Sequence, residues 1–348
     1  PWNLIVFSFS NQLEVLSIIS VIGTYGFNLF CISLFASPAI IILRKKNIGF
    51  LIFFLITTLF FHINGLSHKE KFDKKFKKNY DYKLRVIGSN ISLDRFYNNT
   101  NSSSVIKELI SLSNPIGDKK IVFIWPEGIL PNIDQKDLIN YSQLFDEKFN
   151  QNHLLVIGIN SESENNGIMN YYNSLSVYDN QLNLLDYYNK INLVPFGEFM
   201  PFENILKKIG LSSLTNNYQS FSKGNKRKII DLTQKKFPLK ILPLICYEII
   251  YSGKINTKED FDIIINISED GWFGKSIGPK QHFSHSIFRA IENGKYILRS
   301  SNNGIAGIIN PLGVVEKSIK FGDSGFIDFE KSRKIQPTIF SKYGNKIF

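Results

Sequence analysis

Lys240-Ile-Leu-Pro-Leu-Ile-Cys246-Tyr247-Glu248-Ile-Ile-Tyr251 is a short apolar run that carries a thiol and then a carboxylate at its C-terminal end. Its Ile- and Leu-rich start, without polar alternation, predicts a strand buried on both faces, as in α/β sheets. Open sheets of that kind place their chemistry at strand ends, where side chains leave a rigid scaffold and enter a crevice. Cys246 is one of only two cysteines, the other being Cys31. A lone cysteine in an apolar strand equally suits a small packed hydrophobe, so the rest of the chain has to decide between the two readings.

Outward from this stretch the same pattern recurs. Residues 83–91, 120–125, 153–160, 173–178 and 262–267 read as strands, and 296–301, 305–309 and 314–317 follow, the last after a Pro311-Leu312-Gly313 turn. Helices are predicted over 102–113, 135–150 and 280–293, the last framed by Pro279 near its first position and Gly294 after it. Residues 82–330 therefore read as one α/β domain.

Two further strand ends carry reactive groups: Trp125-Pro126-Glu127, and the Asn189-Lys190 to Glu198 segment. A thiol is mostly protonated at neutral pH, so a nucleophilic cysteine needs a base or a cation beside it. Glu127 could serve as general base, and Lys190 could stabilise a thiolate and then an oxyanion, with the backbone N–H of Tyr247 as a second donor. Taken singly, each residue also suits a plain role: a loop carboxylate, an exposed cation, a core thiol. Their order, each at a strand end, favours chemistry.

Residues 1–66 differ from the rest. Residues 15–43 are almost wholly apolar, interrupted by Gly23, Gly26 and Pro38, and 49–65 form a second apolar run. A membrane helix needs about 20 apolar residues, and about 17 at the least, so two spans are predicted; the other reading is a pair of buried core helices. Arg44-Lys45-Lys46 between the runs points that turn to the cytoplasm, whereas Lys69, Lys71, Lys74, Lys75, Lys77 and Lys78 after the second run point the domain there. The residues alone leave the orientation open. The lysine-rich stretch 67–81 reads as a basic linker.

Lys and Arg number 41 against 30 Asp and Glu, a net charge of +11. This suits an anionic lipid surface, while no zinc-finger, aromatic RNA-binding or helix-turn-helix pattern supports nucleic acid. Two cysteines make no disulfide framework. His282 and His285, three apart on a helix, lack a third ligand and read as structural, with no metal or cofactor expected. Arg289 and Glu292 read as an ion pair.

Glu127, Lys190 and Cys246 in their surroundings resemble the Glu-Lys-Cys triad of the carbon–nitrogen hydrolase (nitrilase) superfamily. The longer segments Lys190-Ile-Asn-Leu-Val-Pro-Phe-Gly-Glu198-Phe-Met-Pro201, Gly271-Trp272-Phe273-Gly274 through Gly278-Pro279-Lys-Gln-His282-Phe283, and Leu298-Arg299-Ser-Ser-Asn-Asn-Gly304-Ile305 resemble the apolipoprotein N-acyltransferase family. The resemblance implies a nitrilase-like αββα sandwich preceded by two transmembrane helices. It also implies a bacterial inner-membrane enzyme with a periplasmic catalytic domain, which makes the turn at Arg44 to Lys46 cytoplasmic. The chain, beginning at Pro1 without methionine, is expected to be a fragment lacking other N-terminal helices and a last helix after the tail 331–348. The implied reaction moves an acyl chain from a phospholipid such as phosphatidylethanolamine to Cys246 as a thioester. The α-amino group of a diacylglyceryl-cysteine lipoprotein then receives it. By the same match Glu198, Asn173, Tyr247 and Glu248 support the site, and Trp272, Phe273 and Pro201 contact substrate. Ser268-Glu269-Asp270 departs from the family's usual loop. A hydrolase with the same triad is the alternative, and a monomer is expected.

Overall fold

The computed structural model describes residues 2–44, 48–97, 101–165, 167–202, 220–255 and 259–347. After a short N-terminal segment come two long helices, α1 (Ile19–Arg44) and α2 (Ile48–Asp73). Both are long and apolar enough to cross a membrane. A core helix hides its apolar side chains, but only 6% of the apolar stretch of α2 is buried. Phe53, Ile56, Phe60 and Ile63 are all exposed, which removes the buried-core reading for this helix. The positively charged turn lies largely outside the described residues, at 45–47.

The rest is a sandwich of twelve described strands: β1 (Lys78–Ser89), β2 (Ile121–Ile124), β3 (His153–Asn165), β4 (Ile168–Asp179), β5 (Leu184–Asn189), β6 (Ile230–Asp231), β7 (Lys240–Ile245), β8 (Ile263–Glu269), β9 (Tyr296–Asn302), β10 (Ala306–Ile309), β11 (Val315–Ile319) and β12 (Gly325–Ser332). One sheet runs β5-β4-β3-β2-β1-β12 and the other β6-β7-β8-β9-β10-β11. They join through Gly88 with Ser301 and Ser89 with Asn302, at the ends of β1 and β9. Helices α3 (Ser102–Ser113) and α4 (Ser142–Asp146) lie beside the first sheet in the chain, and α5 (Gly278–Asn293) precedes β9 of the second.

Strand patterning follows from this layering. Along β2, Val122 and Ile124 face the core between the sheets, whereas Ile121 and Phe123 pack under α3 and α4. Along β7, Ile241 and Ile245 face the inner core while Leu242 and Leu244 join the layer containing Phe283 and Ala290 of α5. Both faces of β2 and β7 are covered, which is why these two strands read as unbroken apolar runs.

Some local expectations change. The helix predicted over 135–150 is confined to α4 and a single turn at Leu138–Tyr141. The backbone N–H of Gln135 instead donates to the carbonyl of Asn160 on β3, at 2.8 Å, which fixes the start of this segment against that strand. The basic stretch 67–81 is not a separate linker: α2 continues through Asp73 and β1 begins at Lys78. Strands β6 and β12 were not anticipated, and β5 was inferred only from its end at Asn189. The tail is folded onto the body through helix α6 (Ile339–Tyr343), whose Phe340 is buried.

A buried polar joint ties α1 to the sandwich. Gly23 breaks the helical path with φ of 68°, and a Cβ there would lie 2.1 Å from the ring of Phe340, so both backbone freedom and space require glycine. The helical run resumes at Thr24, whose N–H donates to Glu292 Oε1 at 2.7 Å. A carboxylate at a helix start satisfies an orphan donor and suits the local dipole. Ser252 donates to the same oxygen at 2.6 Å, and Arg289 Nε lies 2.9 Å from Glu292 Oε2. The anticipated Arg289–Glu292 pair is thus a buried one. Glu292→Ala is expected to destabilise the protein by about 3–5 kcal/mol, because it strands a buried guanidinium. Denaturant unfolding in detergent would measure it, and an unchanged midpoint would refute the assignment.

His285 is buried against Phe7 and Trp2, with ring centroids 4.5 and 5.4 Å away. Burial, reinforced by Arg289, holds its pKa far below the usual histidine value. The folded state therefore keeps this ring neutral, while the unfolded chain takes up a proton below about pH 6.5. Stability should fall by up to about 1.4 kcal/mol per pH unit below that point. Comparing thermal midpoints at about pH 7.5 and 5.5 tests this: His285→Phe, which keeps the packing, is expected to shrink the acid loss.

Candidate active site

Glu127 leaves the end of β2 in a segment anchored by Trp125, which is fully buried and donates from Nε1 to Ser113 Oγ at 2.9 Å. The neighbouring β3 carries Gly158, where a Cβ would sit 2.5 Å from Glu127 Cα, so the backbone of Glu127 can lie this close only over a glycine. Lys190 directly follows β5, and its N–H donates to the carbonyl of Asn173 on β4 at 2.9 Å. Its ammonium, 1% exposed, donates to Glu127 Oε1 at 3.0 Å and Glu198 Oε1 at 2.8 Å. Asn173 Nδ2 bridges the same two oxygens at 2.7 and 2.8 Å. Glu198 is held in turn by the backbone N–H of Val194 at 2.9 Å.

Cys246 begins the turn Cys246–Ile250 directly after β7, with φ of 46°. A left-handed backbone is costly for a residue with a Cβ, and strain of this kind concentrates where a side chain has to be aimed. His282 Nε2 lies 3.2 Å from the Cys246 carbonyl oxygen and so braces the turn that carries the thiol.

The electrostatics define the resting state. Burial, then the Glu127 carboxylate, push the Cys246 thiol well above its ordinary value, and Lys190 opposes them. The sulfur is therefore protonated at rest, and its attack on a carbonyl requires a base. Burial would deprotonate Lys190, but Glu127 and Glu198 outweigh it and keep the amine a cation. A thiol, a carboxylate and a fixed cation together can perform base-assisted nucleophilic attack with charge stabilisation.

Glu248 is different in kind. Its carboxylate is buried and accepts from Tyr188 Oη at 2.7 Å and from the N–H groups of Ile191 at 3.0 Å, Asn192 at 3.2 Å and Ile245 at 2.9 Å. It clips the segment after Lys190 to the end of β7 and has little capacity left for proton transfer. Tyr247 is half-buried beside Tyr251. Trp272 is 54% exposed and packs on Phe96, and Phe273 packs on Trp2. Pro201 lies next to exposed Phe202, ahead of the undescribed 203–219. Among the described residues, the side chains of Tyr247, Trp272, Phe273 and Pro201 make no hydrogen bond to Glu127, Lys190 or Cys246.

Two buried networks escaped the sequence reading. The backbone N–H of Glu269 donates to Glu127 Oε2 at 2.9 Å, and the Glu269 side chain is paired with Arg95 and accepts from Asn302 Nδ2 at 2.7 Å. Beside it Asp270 accepts from Arg299 Nη2 at 2.8 Å, from Ser268, and lies 2.8 Å from His282 Nδ1. Burial acts to raise the Asp270 pKa, but Arg299 and His282 overrule it and hold the carboxylate ionised. The signal was Arg299 inside the apolar run 296–301: a charge in a buried strand demands a buried partner.

With this geometry in hand, likeness to known proteins is informative. Residues 121–333 match the carbon-nitrogen hydrolase family. The apolipoprotein N-acyltransferase of Rickettsia prowazekii is 31% identical over 99% of this chain and 68% of its own length. This chain belongs to the apolipoprotein N-acyltransferase family. The N-acyltransferases of Rhodopseudomonas palustris and Bradyrhizobium diazoefficiens are 31% and 29% identical, again over 99% of the chain. The chain spans about two thirds of the length of these N-acyltransferase relatives, between 66% and 68%. Within the family fold, β2, β5 and β7 are the strands whose ends carry Glu127, Lys190 and Cys246.

Proposed function

We propose that this chain carries the catalytic domain of a membrane-bound N-acyltransferase working by two displacements at Cys246. Glu127 takes the thiol proton as Sγ attacks the acyl ester carbonyl of a phospholipid such as phosphatidylethanolamine. Lys190 and the Tyr247 backbone N–H stabilise the oxyanion, Glu127 returns the proton to the departing lysophospholipid oxygen, and a thioester remains. The α-amino nitrogen of a diacylglyceryl-cysteine lipoprotein then attacks the thioester, Glu127 accepts its proton, and the thiol is released as the amide forms. Glu198 and Asn173 position Lys190 and Glu127, Glu248 positions the Lys190 segment, and Trp272, Phe273 and Pro201 line the path of the acyl chain. The domain works as a monomer on the periplasmic side of a bacterial inner membrane.

The observation that supports acyl transfer over hydrolysis is the uncovered apolar length of α2, joined directly to the sandwich. A nucleophile tethered to a bilayer meets lipid esters at high effective concentration. The test supplies membranes holding the protein with phosphatidylethanolamine bearing a labelled acyl chain, and a diacylglyceryl-cysteine peptide with a free or acetylated N-terminus. Label is expected as an amide on the free-amine peptide only. Release solely as free fatty acid would make the protein a hydrolase.

A further inference from the structure

Where α2 leaves its apolar stretch, a cavity of about 460 Å³ opens between this helix, the turn before α1, α5, the β10–β11 connection and the tail segment. It is separate from the candidate active site: its α5 residue is Ile291, nine positions and roughly 13 Å along the helix from His282. The volume falls within the usual range of small-molecule sites, about 300–1,000 Å³. Val21, Phe72, Leu312 and Ile335 are among its apolar lining residues, and its charged lining groups are Glu14, Lys69, Lys71 and Lys75, the lysines exposed to solvent.

The charge at that edge is unbalanced. Among the described residues the neighbouring carboxylates already have cationic partners: Glu14 with Lys69 at 3.5 Å, Glu70 with Lys74, and Asp73 with Arg333 at 3.8 Å. Among the described residues Lys71 has no carboxylate partner, and Lys75 donates only to the carbonyl of Lys334, at 3.3 Å. An apolar cavity edged by uncompensated ammonium groups, at the end of an apolar helix, complements a molecule with a hydrocarbon chain and an anionic head. We infer that this cavity is an accessory site for an anionic phospholipid of the surrounding membrane. The acyl chain lies on Phe72 and Leu312, and the phosphate lies against Lys71 and Lys75. The inference rests on α2 being membrane-embedded, as proposed above.

The test uses the full protein in phosphatidylcholine vesicles containing a photoactivatable phosphatidylglycerol, with labelled peptides mapped by mass spectrometry. Label is expected in the 311–314 and 335–339 peptides, competed by unlabelled phosphatidylglycerol but not by inorganic phosphate or added phosphatidylcholine. Lys71→Ala/Lys75→Ala, two exposed substitutions that leave the core intact, should cut labelling about 30-fold, the worth of two basic groups near an anionic surface. Equal labelling by a phosphatidylcholine probe, competition by inorganic phosphate, or undiminished labelling of the double variant would overturn the site. Alkaline extraction separates the failures. A protein that stays in the membrane with the cavity unlabelled refutes only this site, whereas a protein that is extracted refutes the membrane reading and the site together.

Discussion

Substituting serine for Cys246 is expected to abolish the thioester acyl-enzyme and to lower transfer by about 10³-fold or more. The reason lies in the resting state. The thiol is buried and protonated, so reaction depends on Glu127 removing its proton, and a serine hydroxyl in the same place is a far weaker acid. The substitution is close to isosteric and leaves the left-handed backbone and the His282 contact to the carbonyl untouched, so folding should be retained. Incubation with labelled phosphatidylethanolamine, followed by neutral hydroxylamine, reads the outcome directly. A hydroxylamine-labile band that survives in Cys246→Ser would place the nucleophile elsewhere.

Lys190→Met should have an effect of similar size but with two separable parts. The ammonium lies between Glu127 and Glu198, whose Oε1 atoms are also bridged by Asn173. Its removal leaves the buried Glu127 carboxylate facing the half-buried Glu198 carboxylate with no cation between them, at an expected cost of about 3–5 kcal/mol in stability. One of them should then bind a proton more readily in the folded state than in the unfolded chain. The variant would regain stability as pH falls toward the carboxylate range, opposite in direction to the loss from His285. The catalytic part is expected as a fall in turnover of about 10²–10³-fold from the missing oxyanion partner. The double variant Lys190→Met/Glu198→Gln distinguishes the two. It should recover much of the unfolding midpoint and none of the turnover, whereas restored turnover would reduce Lys190 to a structural counter-ion.

Much of this protein was legible along the chain. The apolar runs of β2, β7 and β8 announced strands covered on both faces, and the two uncharged stretches before residue 66 announced helices of membrane length. Glu127, Lys190 and Cys246 stood out because reactive side chains at strand ends are local features. The helix predicted over 135–150 is broken into a single turn and the short α4, with Gln135 tied to Asn160 of β3, a long-range contact that no local pattern reveals.

What the sequence by itself determined is therefore the layered α/β architecture, the apolar helices and the identity of the reactive groups, since periodicity and residue chemistry act over short stretches of chain. The tertiary structure alone decided how those groups meet. Glu127 touches an ammonium 63 residues away and a backbone N–H 142 residues away. Glu292 caps a helix start 268 residues before it, tying α1 to the sandwich. Cys246 takes its left-handed backbone where β7 ends and the turn Cys246–Ile250 begins. Contacts of this kind depend on how sheets and helices pack, and close packing is a property of the whole fold.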